Sequence, residues 1–217
     1  GYSIRAGAGI SRVENLVIPS VVNGRKVIAI DDYAFEGCDS LRSITIPDTV
    51  RSIASTAFDG CDELENYYVA STGEPDPLFS AIEGTIIYRN TMTQELEIAF
   101  VPATRTGIYT IPESVTRINT NTFNGSELTE IIIPASLTSV APNAFVGLDD
   151  LTRITFLEGG TNPLTFDAAA ISDCSKLATI TFPARLMAFE EEESTVFASL
   201  EKLTAIEIVG SYANAAY

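Results

Sequence analysis

The sequence predicts a mainly β solenoid, in which short strands from successive coils lie side by side with turns or brief helical segments between them. Three observations predict it. The phrase Leu-x-x-Ile-x-Ile-Pro returns at 23 residues from Leu41 to Leu64 and from Leu128 to Leu151, then at 26 to Leu177 and to Leu203. A smaller apolar pair and then Ala-Phe follow it at nearly constant offsets. A unit this short cannot bury its apolar side alone, so neighbouring units must stack on one elongated core.

Four slots define a coil. The first carries Leu41, Ile44 and Ile46, or Leu128, Ile131 and Ile133, or Leu177, Ile180 and Phe182, which point inward from a short strand. Pro19, Pro47, Pro112, Pro134 and Pro183 come directly after, where a missing N–H ends the ladder without interrupting it. The second slot pairs Val27 with Ile30, Val50 with Ile53, Val115 with Ile118, Leu137 with Val140, and Leu186 with Phe189, and reads as a second short strand or turn. The third holds Phe35, Phe58, Phe123 and Phe145, whose rings are expected to stack as a spine. The fourth, three residues before the next Leu, holds Cys38, Cys61 and Cys174 but also Leu148 and Leu200. A position shared by Leu and Cys is a buried apolar one, so we expect free, buried thiols; a Cys38–Cys61 bridge is the rival.

Departures from the period mark loops. Val22-Asn23-Gly24-Arg25-Lys26 carries the Asn-Gly signal of a type I′ hairpin. Extra residues fall at Glu158 to Pro163 and at the acidic run Glu190 to Glu193, which reads as a solvated loop and not as a calcium site. Between residues 70 and 107 the period lapses. The turn-rich run Ser71 to Pro77 precedes two apolar runs, Thr85 to Tyr88 and Glu95 to Phe100, which suggest a β-hairpin around Arg89 to Gln94. Because the same repeat resumes at Tyr109, we expect one domain over 1–217 with about eight stacked strands and one oversized coil, 70–107.

Ile46-Pro47-Asp48-Thr49-Val50-Arg51-Ser52-Ile53, followed by Ala57-Phe58-Asp59-Gly60-Cys61, resembles the repeat of the BspA-like bacterial leucine-rich repeat family. Ile82-Glu83-Gly84-Thr85-Ile86-Ile87-Tyr88 and Leu96 to Ala103 are similar to that family's inserted hairpin. The resemblance covers most of the chain. It implies a leucine-rich repeat solenoid wound as a right-handed, curved superhelix, on surface-exposed or secreted bacterial proteins, some of them adhesins. It brings no catalytic residue and no cofactor.

Composition excludes several roles. With 13 basic against 29 acidic residues, the net charge of −16 lacks the footprint of a nucleic-acid or membrane-surface binder. The sequence holds no histidine, which removes the imidazole-dependent triads and zinc sites. Asp31-Asp32 and Asp149-Asp150 sit at turns, where solvated or capping acids are expected. No apolar run is long enough to insert in a bilayer. The chain opens on Gly1 and not on Met, from which we expect that whatever preceded it has been removed.

Residues three and five of each strand phrase point outward onto a concave sheet face. Most are polar. Tyr68, Ile108 and Ile132 are bulky, and we take them as an apolar contact patch, flanked by Thr110, Glu130, Arg153 and Thr155. Burial beneath the inserted hairpin is the competing reading. The function expected is a non-catalytic, extracellular or cell-surface module that binds a protein, a host extracellular protein among the partners. A structural spacer without a ligand and a carbohydrate-binding module, hinted at by Tyr67-Tyr68 beside Glu65, are the alternatives.

Overall fold

A strand whose inward residues repeat from coil to coil has as its neighbour the same strand one coil away, so its pairing must be parallel. The structure, a computed structural model, describes residues 1–5, 12–123, 125–171, 174–189, 197 and 200–210. It is a β-solenoid that divides into two compact units, Gly1–Gln94 with Ala99–Thr104, and Glu95–Ile98 with Arg105–Tyr217. The acidic run Glu190 to Glu193 lies outside the described residues.

In the first unit, β1 (Tyr2–Ile4) leads to β2 (Asn15–Val17), β3 (Val21–Val22) and β4 (Arg25–Ile30). β3 and β4 pair antiparallel through Asn23 and Gly24, both at positive φ (48° and 75°), as a type I′ turn requires. β5 (Ser43–Pro47), β6 (Ser52–Ile53) and β7 (Asn66–Ala70) complete the repeat. The first-slot strands form one parallel sheet, β2-β5-β7. The second-slot strands form another, in which β1 and β6 flank β4. Each coil thus has two strands, with its Leu, Ile and Phe between them. β8 (Phe79–Ile82) and β9 (Thr85–Arg89) then make an antiparallel hairpin around Glu83-Gly84. The sequence reading ended its turns at Pro77 and began its first apolar run at Thr85, and so missed β8, from which Phe79 enters the core beside Tyr88.

The second unit starts in β10 (Leu96–Phe100), whose last two residues belong to the first. It continues through β11 (Thr106–Thr110), β12 (Arg117–Ile118), β13 (Glu127–Ile133), β14 (Ser139–Val140), β15 (Arg153–Phe156), β16 (Leu164–Phe166), β17 (Thr179–Pro183), β18 (Leu186–Phe189) and β19 (Ala205–Val209). Odd-numbered strands from β11 to β19 form a five-stranded parallel sheet. Even-numbered strands from β10 to β18 form the second ladder. The Glu158 to Pro163 enlargement lies between β15 and β16.

The slots behave as their residue types require. Leu41, Ile44, Ile46, Leu128, Ile131, Ile133, Leu177, Ile180 and Phe182 are all buried. Phe35 stacks on Phe58 with ring centroids 5.6 Å apart, and Phe123 stacks on Phe145 at the same spacing. Cys38, Cys61 and Cys174 are buried thiols outside any disulfide. Their slot is more than apolar filling: Cys61 Sγ donates to the Phe35 carbonyl at 3.1 Å, and Cys174 Sγ to the Phe145 carbonyl at 3.6 Å. Burial, with a smaller contribution from Cys38, pushes the Cys61 thiol up to about 12.

Side-chain hydroxyls stitch one coil to the next. The residue just before the second slot donates to the second-slot carbonyl of the preceding coil, Thr49 to Val27 at 2.7 Å and Ser136 to Val115 at 2.8 Å. In the coil enlarged at Glu158 to Pro163 the same donor is missing. Arg185 replaces it from one coil further on, reaching back to the Leu137 carbonyl at 2.6 Å.

The polar run after β7 is fastened from beneath. Asp48 is 4% exposed, and its carboxylate accepts hydrogen bonds from the Thr72 N–H at 2.8 Å, the Thr72 hydroxyl and the Glu74 N–H at 3.4 Å. Burial alone would raise its pKa, but these donors and the Ser71 hydroxyl hold it below the ordinary carboxylate range. Glu74 in turn pairs with Lys26 at 2.8 Å and Arg51 at 3.7 Å.

Candidate functional site

Parallel in-register pairing turns positions three and five of each strand into two rows running across the sheet. In the second unit the first row is Ile108, Glu130, Arg153, Thr179, Ala205 and the second is Thr110, Ile132, Thr155, Thr181, Glu207. The structure therefore places Ile108 beside Glu130 and Thr110 beside Ile132 as register partners on β11 and β13. Arg153 and Thr155 follow on β15.

Exposure separates the two isoleucines. Ile108 is 64% exposed, whereas Ile132, with a strand on each side, is half-buried. Thr110 and Arg153 are exposed, and Glu130 and Thr155 are half-buried. The face is apolar at its β11 end, carries Glu130 and Arg153 on β13 and β15, then the hydroxyls of Thr179 and Thr181, and ends in Ala205 and Glu207 on β19. Such a surface can hold a partner by contact and hydrogen bonding.

Tyr68 stands in the first unit, 49% exposed, at the end of the row Val17, Thr45, Tyr68 on β2, β5 and β7. The hairpin leaves it open. Val17, at the opposite end of that row, is 68% exposed; a reading confined to bulky groups on neighbouring strands passes it over, although its position in the phrase marks it. Beside this row runs Asn15, Ser43, Asn66, in which the Ser43 hydroxyl donates to Asn15 Oδ1 at 2.6 Å. Tyr67 points the other way into the core, and burial raises its phenol pKa. Glu65 is paired with Arg42 at 2.6 Å. The side-by-side tyrosine and carboxylate that hinted at carbohydrate are thus not one surface.

Three of the four acids in the sequence pairs hold partners at their turns. Asp31 accepts the Ser3 hydroxyl, Asp32 the Thr56 hydroxyl at 2.9 Å, and Asp150 pairs with Lys176. Among the described residues no three His, Cys, Asp or Glu side chains gather where they could hold a metal ion. No described helix is long and apolar enough to cross a membrane.

The geometry accords with what the chain is similar to. No curated protein matches it in sequence. Among solved structures, a leucine-rich cell surface protein from Faecalibacterium prausnitzii superposes with a TM-score of 0.56 at 21% identity, over 93% of this chain and 61% of that one. A leucine-rich repeat protein from Bacteroides capillosus gives 0.52 at 16% identity, over 61% of this chain and 99% of that one. The pneumococcal vaccine antigen PcpA gives 0.50 at 16% identity, over 91% and 57%. The chain thus spans about three fifths of the length of the Faecalibacterium protein. The signature of the BspA type leucine rich repeat region matches residues 10–75 and 97–215 in six copies. With that match over most of its length, the chain belongs to the BspA-type leucine-rich repeat family.

Proposed function

We propose that this chain is a non-catalytic, protein-binding repeat module of a bacterial surface or secreted protein, and that the outward rows of β11, β13 and β15 are its contact face. The observation that carries the reading is Ile108, a large apolar side chain 64% exposed on the edge strand β11, just after the register shift at Gly107 and among Thr110, Glu130 and Arg153. Exposed apolar groups ringed by polar ones mark partner surfaces, and binding energy concentrates in such groups. Tyr68 is the corresponding candidate on the first unit. Family membership supports an interaction role. The descriptions of two similar structures, as a cell surface protein and as a vaccine antigen, support a place outside the cell.

Surface plasmon resonance of the immobilised chain against purified host extracellular proteins tests this. For a protein that binds, Ile108→Ser is expected to weaken affinity at least about fivefold, the equivalent of roughly 1 kcal/mol, with Tm unchanged, and Thr155→Ala to weaken it less. Ile132→Ser is expected to lower Tm as well, because that side chain is half-buried. A panel without a binder, or a binder indifferent to Ile108, Tyr68 and Arg153, would refute the proposal.

A further inference from the structure

We propose that the turn between β17 and β18 is a binding site for a small carboxylate, which docks on the unpaired edge of the Arg185 guanidinium. Arg185 is only 9% exposed. Its Nη1 donates to two carbonyls, Leu137 at 2.6 Å and Asn162 at 3.1 Å. Its Nε and Nη2, also buried, have no acceptor among the described residues, and no described carboxylate forms an ion pair with it. Among the described residues the charge has therefore been taken out of water and given only neutral partners. Burial lowers the pKa of the group, but a guanidinium does not give up its proton within a protein. An enclosed cation without an anion is a strongly unfavourable arrangement.

The form of the vacant edge names the ligand. Nε–H and Nη2–H are parallel donors on one side of a rigid fork, the geometry that takes two oxygens of one oxyanion at once. The edge lies beneath the Glu158 to Pro163 loop, where Gly160 approaches as closely as a residue without Cβ can: a Cβ there would stand 3.2 Å from Arg185 Nε and 2.2 Å from the Ala135 carbonyl oxygen. Gly159 and Gly160 are both at positive φ, and the loop is exposed. With the loop this close, a ligand reaches the fork edge-on and only as the loop gives way, which favours a flat carboxylate over a tetrahedral sulfate or phosphate. Glu158, the acid that opens this loop, lies beside Gly210 and makes no ion pair with the fork.

Thermal unfolding with sodium formate replacing chloride at constant ionic strength tests the site. The expected result is a Tm that rises by about 3–6 °C for each tenfold in formate above its Kd, with sulfate giving no such rise. Arg185→Lys, which keeps the charge but not the fork, is expected to abolish the dependence. Should that variant fail to fold, the wild-type protein still decides the matter: in a proton–nitrogen correlation spectrum of arginine side chains, the Arg185 Nε–H resonance is expected to shift saturably with formate. An unmoved resonance, or an equal Tm rise in the folded Lys variant, overturns the proposal. So does a Glu158→Gln variant that responds to formate when the wild type does not, because the fork is then filled by the loop's own acid.

Discussion

Asp48→Asn isolates the buried carboxylate beneath the turn that follows β7. Its oxygens take donors from Thr72, Glu74 and Ser71, residues 23 to 26 positions further along the chain. A hydrogen bond to a charged acceptor contributes about 1.5–3 kcal/mol, and a donor left facing another donor adds its desolvation cost. Asparagine keeps one acceptor oxygen and turns an amide N–H₂ toward the Thr72 donors, so the expected loss at pH 7 is about 3 kcal/mol. The pH dependence has a definite sign. The folded-state pKa is depressed below the ordinary value of 3.8, so this contribution is complete above that value and is lost as pH falls through the folded one. The stability gap between wild type and variant should therefore be full at neutral pH and close progressively below about pH 4. Urea unfolding followed by circular dichroism, repeated at stepwise lower pH, measures the gap. A neutral-pH cost under about 1 kcal/mol, or a gap that stays constant into acid, would show that the carboxylate does not fasten this turn.

Three other outcomes follow from the core and its turns. Phe58→Ala removes a ring stacked on Phe35 and edge-on to Tyr67 and Phe100, and is expected to cost about 3–5 kcal/mol in chemical unfolding. The thiols should react slowly with a disulfide reagent at pH 8, Cys61 slowest because its thiol is pushed up to about 12, and should give three equivalents once unfolded; fewer would reveal a bridge. Tyr33→Asn should stabilise by about 1 kcal/mol, because Tyr33 occupies at φ 54° the left-handed position that Asn121 and Asn143 hold at 58° and 56° in later coils; an unchanged or lower Tm would count against that strain.

The repeat made the core legible because each slot depends on local periodicity and on an identical neighbour one coil away. Leu41, Ile44, Phe58 and the cysteines could be placed inside, and the outward rows could be written down strand by strand, from spacing alone. Burial on the outward face could not. Ile108 and Ile132 both point outward, from positions three and five, but differ in exposure, because Ile132 has a strand on each side and Ile108 stands on the edge strand. Likewise Tyr67 and Tyr68 look like one surface in the sequence and are split by the pleat. The partners of Asp48 and Arg185 were hidden for another reason: each reaches a segment at least one coil away, through a turn whose path no period describes. β8 was obscured by the prolines just before it.

Most of the hydroxyl and thiol bonds between coils run in one direction. Thr49, Thr116, Ser136, Thr138, Thr152, Thr165, Thr204, Cys61 and Cys174 all donate to a carbonyl that precedes them in the chain, and Thr120 is an exception. A backbone carbonyl has two lone pairs, so it can complete its own coil and still accept a later donor. A finished coil thus displays a full set of acceptors before the residues that will use them leave the ribosome. In these side-chain bonds the stack is prepared from its amino end, each new coil bringing its donors to carbonyls already in place, while backbone N–H groups such as those of Phe35 and Asp48 wait for the carbonyls of the coil that follows.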